Sequence, residues 1–138
     1  MSLIFYGSTD ALSAPNTSRF LGPLLEWLFP GIDPSITENL RFLIRKCGHL
    51  TEYAILALLC LRGFQRPTSL LFHPEPQFLK RAWFLTSFYA VTDEFHQSLV
   101  PSRYGSITDV LIDSIGALLG LMAFKWVANR FHQRKENL

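Results

Sequence analysis

The chain has 138 residues, enough for one compact domain, and is 49% hydrophobic and 14% aromatic but only 17% charged, below the roughly 25% charge of soluble domains. A net charge of +2, with lysines and arginines scattered among apolar runs, excludes the basic stripe that nucleic-acid binding requires. The mean hydropathy of +0.18 is too low for a chain made only of spans, so apolar segments joined by polar loops are expected.

The opening MSLIFYG is apolar but far shorter than the roughly 20 residues that cross a membrane. It lacks the basic start and small-residue cleavage pattern of a signal peptide and reads as a helix remnant. Residues 8–34 are rich in Ser, Thr, Pro and Gly, interrupted by FLGPLLEWLF, whose apolar residues around a single Glu suggest a short interfacial helix. Pro30, Gly31 and Pro34 end it. Ser35 or Thr37 then caps a helix, with Glu38 at capping-box spacing from Ser35, and that helix runs through RFLIRKCGHLTEYAILALLCLRGF. Pro67, Pro74 and Pro76 make residues 65–77 a loop. Residues 78–100 form a second apolar segment with TDEFHQ in its last third, closed by Pro101 and a turn to Ser106. The third segment, ITDVLIDSIGALLGLMAFKWVA, begins with two aspartates and carries Gly116 and Gly120, a small-xxx-small pair that lets another helix approach. Residues 126–138 are a basic tail.

No segment alternates as a strand does, so the expected fold class is all-α. It is an integral membrane helical bundle of three full transmembrane helices, with an N-terminal helix remnant and a short interfacial helix, in a single domain over 1–138. Cys47 and Cys60 stand thirteen positions apart on one helix, too far for a disulfide, and read as buried thiols. Arg62, Arg66, Lys80 and Arg81 flank one loop, and Lys125, Arg130, Arg134 and Lys135 follow the last segment. The positive-inside rule makes both cytoplasmic, the C-terminus included. The opposite side carries Arg19, Arg41, Arg45, Lys46 and Arg103.

Laid antiparallel, the three segments bring the start of the first, the end of the second and the start of the third to the same outward side. Lys46, His49 and Tyr53 share one helix face by i, i+3, i+7 spacing, and Asp93 with Gln97 and Asp109 with Asp113 are i, i+4 pairs. Carboxylates in hydrocarbon are costly, so they should point inward and pair with Lys46, His49 and Arg103, and such residues are functional candidates by default. The alternative is that these charges only fix helix register. Against it stands the mixture of acids, bases and amides, where one or two groups would suffice.

These residues resemble the VanZ-like family of bacterial membrane proteins. The family pattern is a basic residue and His before a Tyr, then Tyr-xxx-Asp-Glu-xx-Gln, then Arg and Asp before a glycine-bearing last helix. Here it is carried by Lys46, His49 and Tyr53 in KCGHLTEY, by Tyr89, Asp93, Glu94 and Gln97 in YAVTDEFHQ, and by Arg103, Asp109 and Gly116. The resemblance is strongest over residues 46–120. Two departures stand out: MSLIFYG stands where the family has a full first helix, which raises the expectation of a native start upstream, and Asp113 replaces a usual Asn, which calls for its protonation or a compensating cation.

The resemblance implies a multi-pass protein of the bacterial cytoplasmic membrane and an association with teicoplanin resistance, without assigning a reaction. Its first functional reading is an outward polar site that binds a membrane lipid or lipid-linked wall precursor. Lys46, His49 and Arg103 would meet an anionic headgroup, with Tyr53, Gln97, Asp109 and Asp113 completing the site. The second is an intramembrane enzyme with Asp93 or Glu94 as general base, His49 as acid and Arg103 stabilising negative charge. A third makes the cluster scaffolding and lets Gly116 and Gly120 pair with a second copy. Transport ranks last, because a cluster on one side gives no continuous path. No spacing specifies a metal and no cofactor motif is present.

Overall fold

The computed structural model describes residues 22–31, 33–65, 74–100 and 105–136; MSLIFYG, Arg66 and Arg103 lie outside the described residues. Within them every regular element is helical. A short α1 over residues 22–28 falls inside FLGPLLEWLF, with Trp27 and Leu28 exposed. Gly31 then turns the chain with φ 82°, a left-handed conformation that glycine adopts without a Cβ penalty. The long helices are α2 (Pro34–Phe64), α3 (Pro76–Ser98) and α4 (Ile107–Glu136).

α2 starts earlier than the capping-box spacing indicated. Asp33, not Ser35 or Thr37, is its N-cap, with the carboxylate accepting the Ser35 backbone N–H at 2.8 Å. Pro34 begins this helix instead of ending the previous element, because its fixed φ suits the first helical position. Hydrogen bonding from Ser35 holds the Asp33 carboxyl below its ordinary range, so the cap's contribution is present above that range and fades as pH falls through the lowered value. Likewise α3 begins at Pro76, two residues before Phe78, and ends at Ser98. α4 continues through the basic tail to Glu136.

The burial pattern is inverted. On α3, Thr86, Ala90, Asp93 and Gln97 are buried, while Phe84, Phe88, Val91 and Phe95 are exposed. Both sets run i, i+4, i+7, i+11, and they are offset by two residues, about 200° around the helix. The polar stripe therefore faces in and the aromatic stripe faces out. α4 repeats the outward stripe with Leu111, Ile115, Leu118 and Met122 while Asp113 is wholly buried. Exposed apolar faces of this size mark contact with a partner or a membrane.

Small residues let the helices approach closely. Ala57, Ala82 and Ala117 form the core with Leu61 and Leu121, and Ala90 packs with Tyr53 and Leu56. A Cβ on Gly116 would lie 2.5 Å from the Leu50 carbonyl oxygen, and one on Gly120 would lie 2.8 Å from the Ala54 Cβ. The pairs 50 with 116 and 54 with 120 rise together, so α2 and α4 run parallel and in direct contact, with α3 packed against both in the opposite sense. The space opened by Gly116 and Gly120 is thus filled by α2 of the same chain, which leaves other faces for any second copy. The Trp83 indole N–H donates to the Ser114 carbonyl at 3.1 Å, joining α3 to α4. Cys60 is half-buried against the core, but Cys47 is exposed, contrary to its reading as a buried thiol, and both are free.

Among the described residues one stretch, Ile107–Arg134, is long and apolar enough to cross a membrane. α2 and α3 fall short because charges interrupt them. The uncharged run of α2 lies between Glu52 and Arg62, and that of α3 between Arg81 and Asp93. Both runs are well below the roughly 20 residues of a simple span.

Candidate functional site

Three helix faces converge where the middle of α2 meets the end of α3 and the start of α4, so the start of the first segment lies beyond the site. From α2, Lys46 pairs with Asp109 of α4. One turn on, His49 Nδ1 lies 3.5 Å from Asp113 Oδ1, an ion-pair distance without hydrogen-bond geometry. A further turn along, the Tyr53 hydroxyl donates to Asp93 Oδ2 of α3 at 3.4 Å. The i, i+3, i+7 face of α2 therefore touches both neighbours, because α4 and α3 flank it. Gln97 Nε2 donates to the same Asp93 oxygen at 3.0 Å, the i, i+4 contact that helical geometry provides. The rings of Tyr53 and Tyr89 are 6.5 Å apart, tilted beside this contact.

Glu94 is placed differently. Its side chain turns to the start of α4, where Oε2 accepts the Ser106 backbone N–H at 2.8 Å. That N–H belongs to the residue preceding α4, where helical N–H groups lack partners within the helix and a carboxylate is favoured. Gly105 makes this approach possible, since a Cβ there would collide with the Glu94 carbonyl and with Ser98, whose Cβ would lie 2.9 Å away.

Eight of the nine candidate residues thus occupy one end of the bundle: Lys46, His49, Tyr53, Asp93, Glu94, Gln97, Asp109 and Asp113. The ninth, Arg103, lies outside the described residues. Four carboxylates face one ammonium and one imidazole. Asp93 and Glu94 are each 4% exposed and Asp113 is fully buried, while the side chains of Lys46 and Asp109 retain 15% and 18% of their surface and His49 retains 18%. The bases sit at the cluster's edge and most carboxylates behind them. Among the described residues Glu94 Oε1 and both Asp113 oxygens accept no hydrogen bond, and His49 Nδ1 at 3.5 Å is the base beside Asp113, so their burial is costly.

Sequence reasoning missed three contributors. Thr86, deep on the inward face of α3, returns its hydroxyl to the Ala82 carbonyl at 2.8 Å. Trp83 ties the two helices that carry the carboxylates, and Ser106 holds Glu94 through its backbone. A main-chain donor leaves no side-chain signature, but the inward spacing of Thr86 with Asp93 and Gln97 was available. Among the described residues no three His, Cys, Asp or Glu side chains gather closely enough to hold a metal ion.

Residues 1–128 match the family model described as VanZ/LLP1. No curated protein and no solved structure matches the chain.

Proposed function

This chain belongs to the VanZ-like family, and from that premise we propose that α2, α3 and α4 all cross the bacterial cytoplasmic membrane and hold an outward polar site for an amphiphile's anionic headgroup. Support for the spans of α3 and α4 is their inverted burial, and α2 joins them through its close parallel contact with α4 at Gly116 and Gly120. The charges that interrupt the apolar run of α3, Asp93 and Glu94, face inward, away from the stripe of Phe84, Phe88 and Phe95. Polar groups turned to a bundle interior are tolerated in lipid. The basic ends of α2 and α4 then lie on the cytoplasmic side.

The observation that carries the binding reading is the layering of the cluster, with Lys46 and His49 accessible at its edge and Asp113 sealed behind them. A phosphate arriving there exchanges with Asp109 on Lys46 and meets His49 one turn further along α2. A lipid, or a lipid-linked wall precursor, presents such a headgroup at the outer leaflet, which fits the family's association with teicoplanin resistance. The contact of His49 with Asp113 favours a second reading, an acid/base enzyme in which the carboxylate orients the imidazole. It ranks below binding because the candidate bases are engaged, Asp93 by Tyr53 and Gln97 and Glu94 by Ser106.

Titration of the detergent-purified chain with a polyprenyl phosphate, beside the uncharged polyprenol, tests this site. Saturable binding of the phosphate alone is expected. It should weaken about tenfold or more in the double variant Lys46→Gln/Asp109→Asn, the scale of one charged hydrogen bond. Equal binding of alcohol and phosphate, or an unchanged double variant, contradicts it.

A further inference from the structure

The end of the bundle opposite the carboxylates carries its own arrangement of charge and aromatic surface. α4 runs from Asp109 to Arg130 in 21 residues, about 32 Å at 1.5 Å per residue, close to the roughly 30 Å of a hydrocarbon core. Near Arg130, Trp126 is 61% and Phe131 59% exposed. The Arg130 guanidinium lies 5.1 Å from the Trp126 ring centroid, a cation–π contact that holds a cation beside apolar surface. Arg134 follows at i+4, on the same face.

This face continues the outward stripe of α4, since Leu111, Ile115, Leu118, Met122 and Trp126 follow one another along it. The cations are not isolated at this end. Arg62 ends α2, and Arg81 lies 5.9 Å from the Phe78 ring centroid in the first turns of α3. The neighbouring acid Glu75 is engaged by the Gln77 amide.

We infer that the exposed face of α4 carrying Trp126, Val127, Arg130, Phe131, Gln133 and Arg134 is a binding site for an anionic phospholipid. The phosphate meets the Arg130 and Arg134 guanidinium groups, whose planar donor sets match its oxygens. The acyl chains run back along Trp126, Met122 and Leu118. An acidic protein would satisfy the arginines but leave that stripe without a partner, whereas a lipid occupies both. The inference rests on the reading that α4 crosses a membrane, and it places a lipid at the opposite surface from the headgroup site proposed above.

The test is native mass spectrometry of the full chain in neutral detergent, titrated with phosphatidylglycerol, with phosphatidylcholine of the same acyl chains, and with inorganic phosphate. Selective retention of phosphatidylglycerol is expected, without displacement by inorganic phosphate. The exposed double substitution Arg130→Gln/Arg134→Gln should weaken it about 25-fold, about fivefold for each basic residue near the headgroup. In the Lys46→Gln/Asp109→Asn background, where the headgroup site proposed above is removed, the remaining phosphatidylglycerol binding should still fall when Arg130 and Arg134 are replaced. Equal retention of both phospholipids, displacement by inorganic phosphate, or undiminished binding by the arginine variant overturns the inference. Alkaline washing of membranes, read separately, reports whether the chain is integral, so release there defeats the spanning reading independently of lipid selectivity.

Discussion

Gly116→Ala is expected to destabilise the bundle by about 3 kcal/mol or more, the upper end of the range for overpacked cores. The added Cβ meets the Leu50 carbonyl oxygen at 2.5 Å and its Cα at 2.9 Å. Both are backbone atoms of a continuous helix and cannot rotate aside. α2 and α4 would have to separate, and the contacts of Lys46 with Asp109 and of His49 with Asp113 lie within two turns of that point. Gly48→Ala is the matched control. It lies on α2 with no atom within 4 Å of its added Cβ, and should be neutral or stabilise by up to about 1 kcal/mol through helix propensity. Thermal unfolding of the three proteins in one detergent checks both. Equal midpoints for Gly116→Ala and wild type would show that the helices do not meet there.

Lys46→Ala should cost about 2 kcal/mol, between the ranges for exposed and buried ion pairs, because Asp109 is left facing Asp113 and Glu94 without its ammonium. The intermediate value applies because both side chains of the pair retain some accessible surface. The mirror change Asp109→Ala should cost less, since a lysine can extend its flexible stem toward water. Removing both partners should be milder than the sum of the single changes, and Lys46→Asp/Asp109→Lys should recover part of the loss, giving a coupling energy of at least about 1 kcal/mol in a double-mutant cycle. Additive effects would mean that the two groups do not interact.

The register of the cluster was legible because helical spacing is rigid. Lys46, His49 and Tyr53 had to share a face, as did Asp93 with Gln97 and Asp109 with Asp113, and alternating helix directions brought those faces to one end. What the spacing left undetermined was pairing. Glu94 precedes the next helix by only a dozen residues, yet its partner is a backbone N–H that no side-chain pattern announces. The start of α2 was misplaced because Ser35, Thr37 and Glu38 form a good capping signal, and a nearer carboxylate, Asp33 before Pro34, outcompetes it. Gly116 and Gly120 signalled a close helix contact without saying whether the second helix belongs to the same chain. The short uncharged run of α3 conceals its outward face from any average along the sequence, since Asp93 and Glu94, which end the run, lie on the opposite side of the helix, whereas Glu52 and Arg62 of α2 share the outward face with Ile55 and Leu59.

As the working site of this protein, the buried polar cluster should govern its effect in a living cell. The most direct measurement is teicoplanin susceptibility in a host expressing the wild type, Asp93→Asn or Arg103→Ala, each shown to be inserted in the membrane at equal abundance. A susceptibility shift with the wild type that both variants lose is the expected result. Identical susceptibility in all three strains would contradict the claim and leave the cluster a structural feature of the bundle.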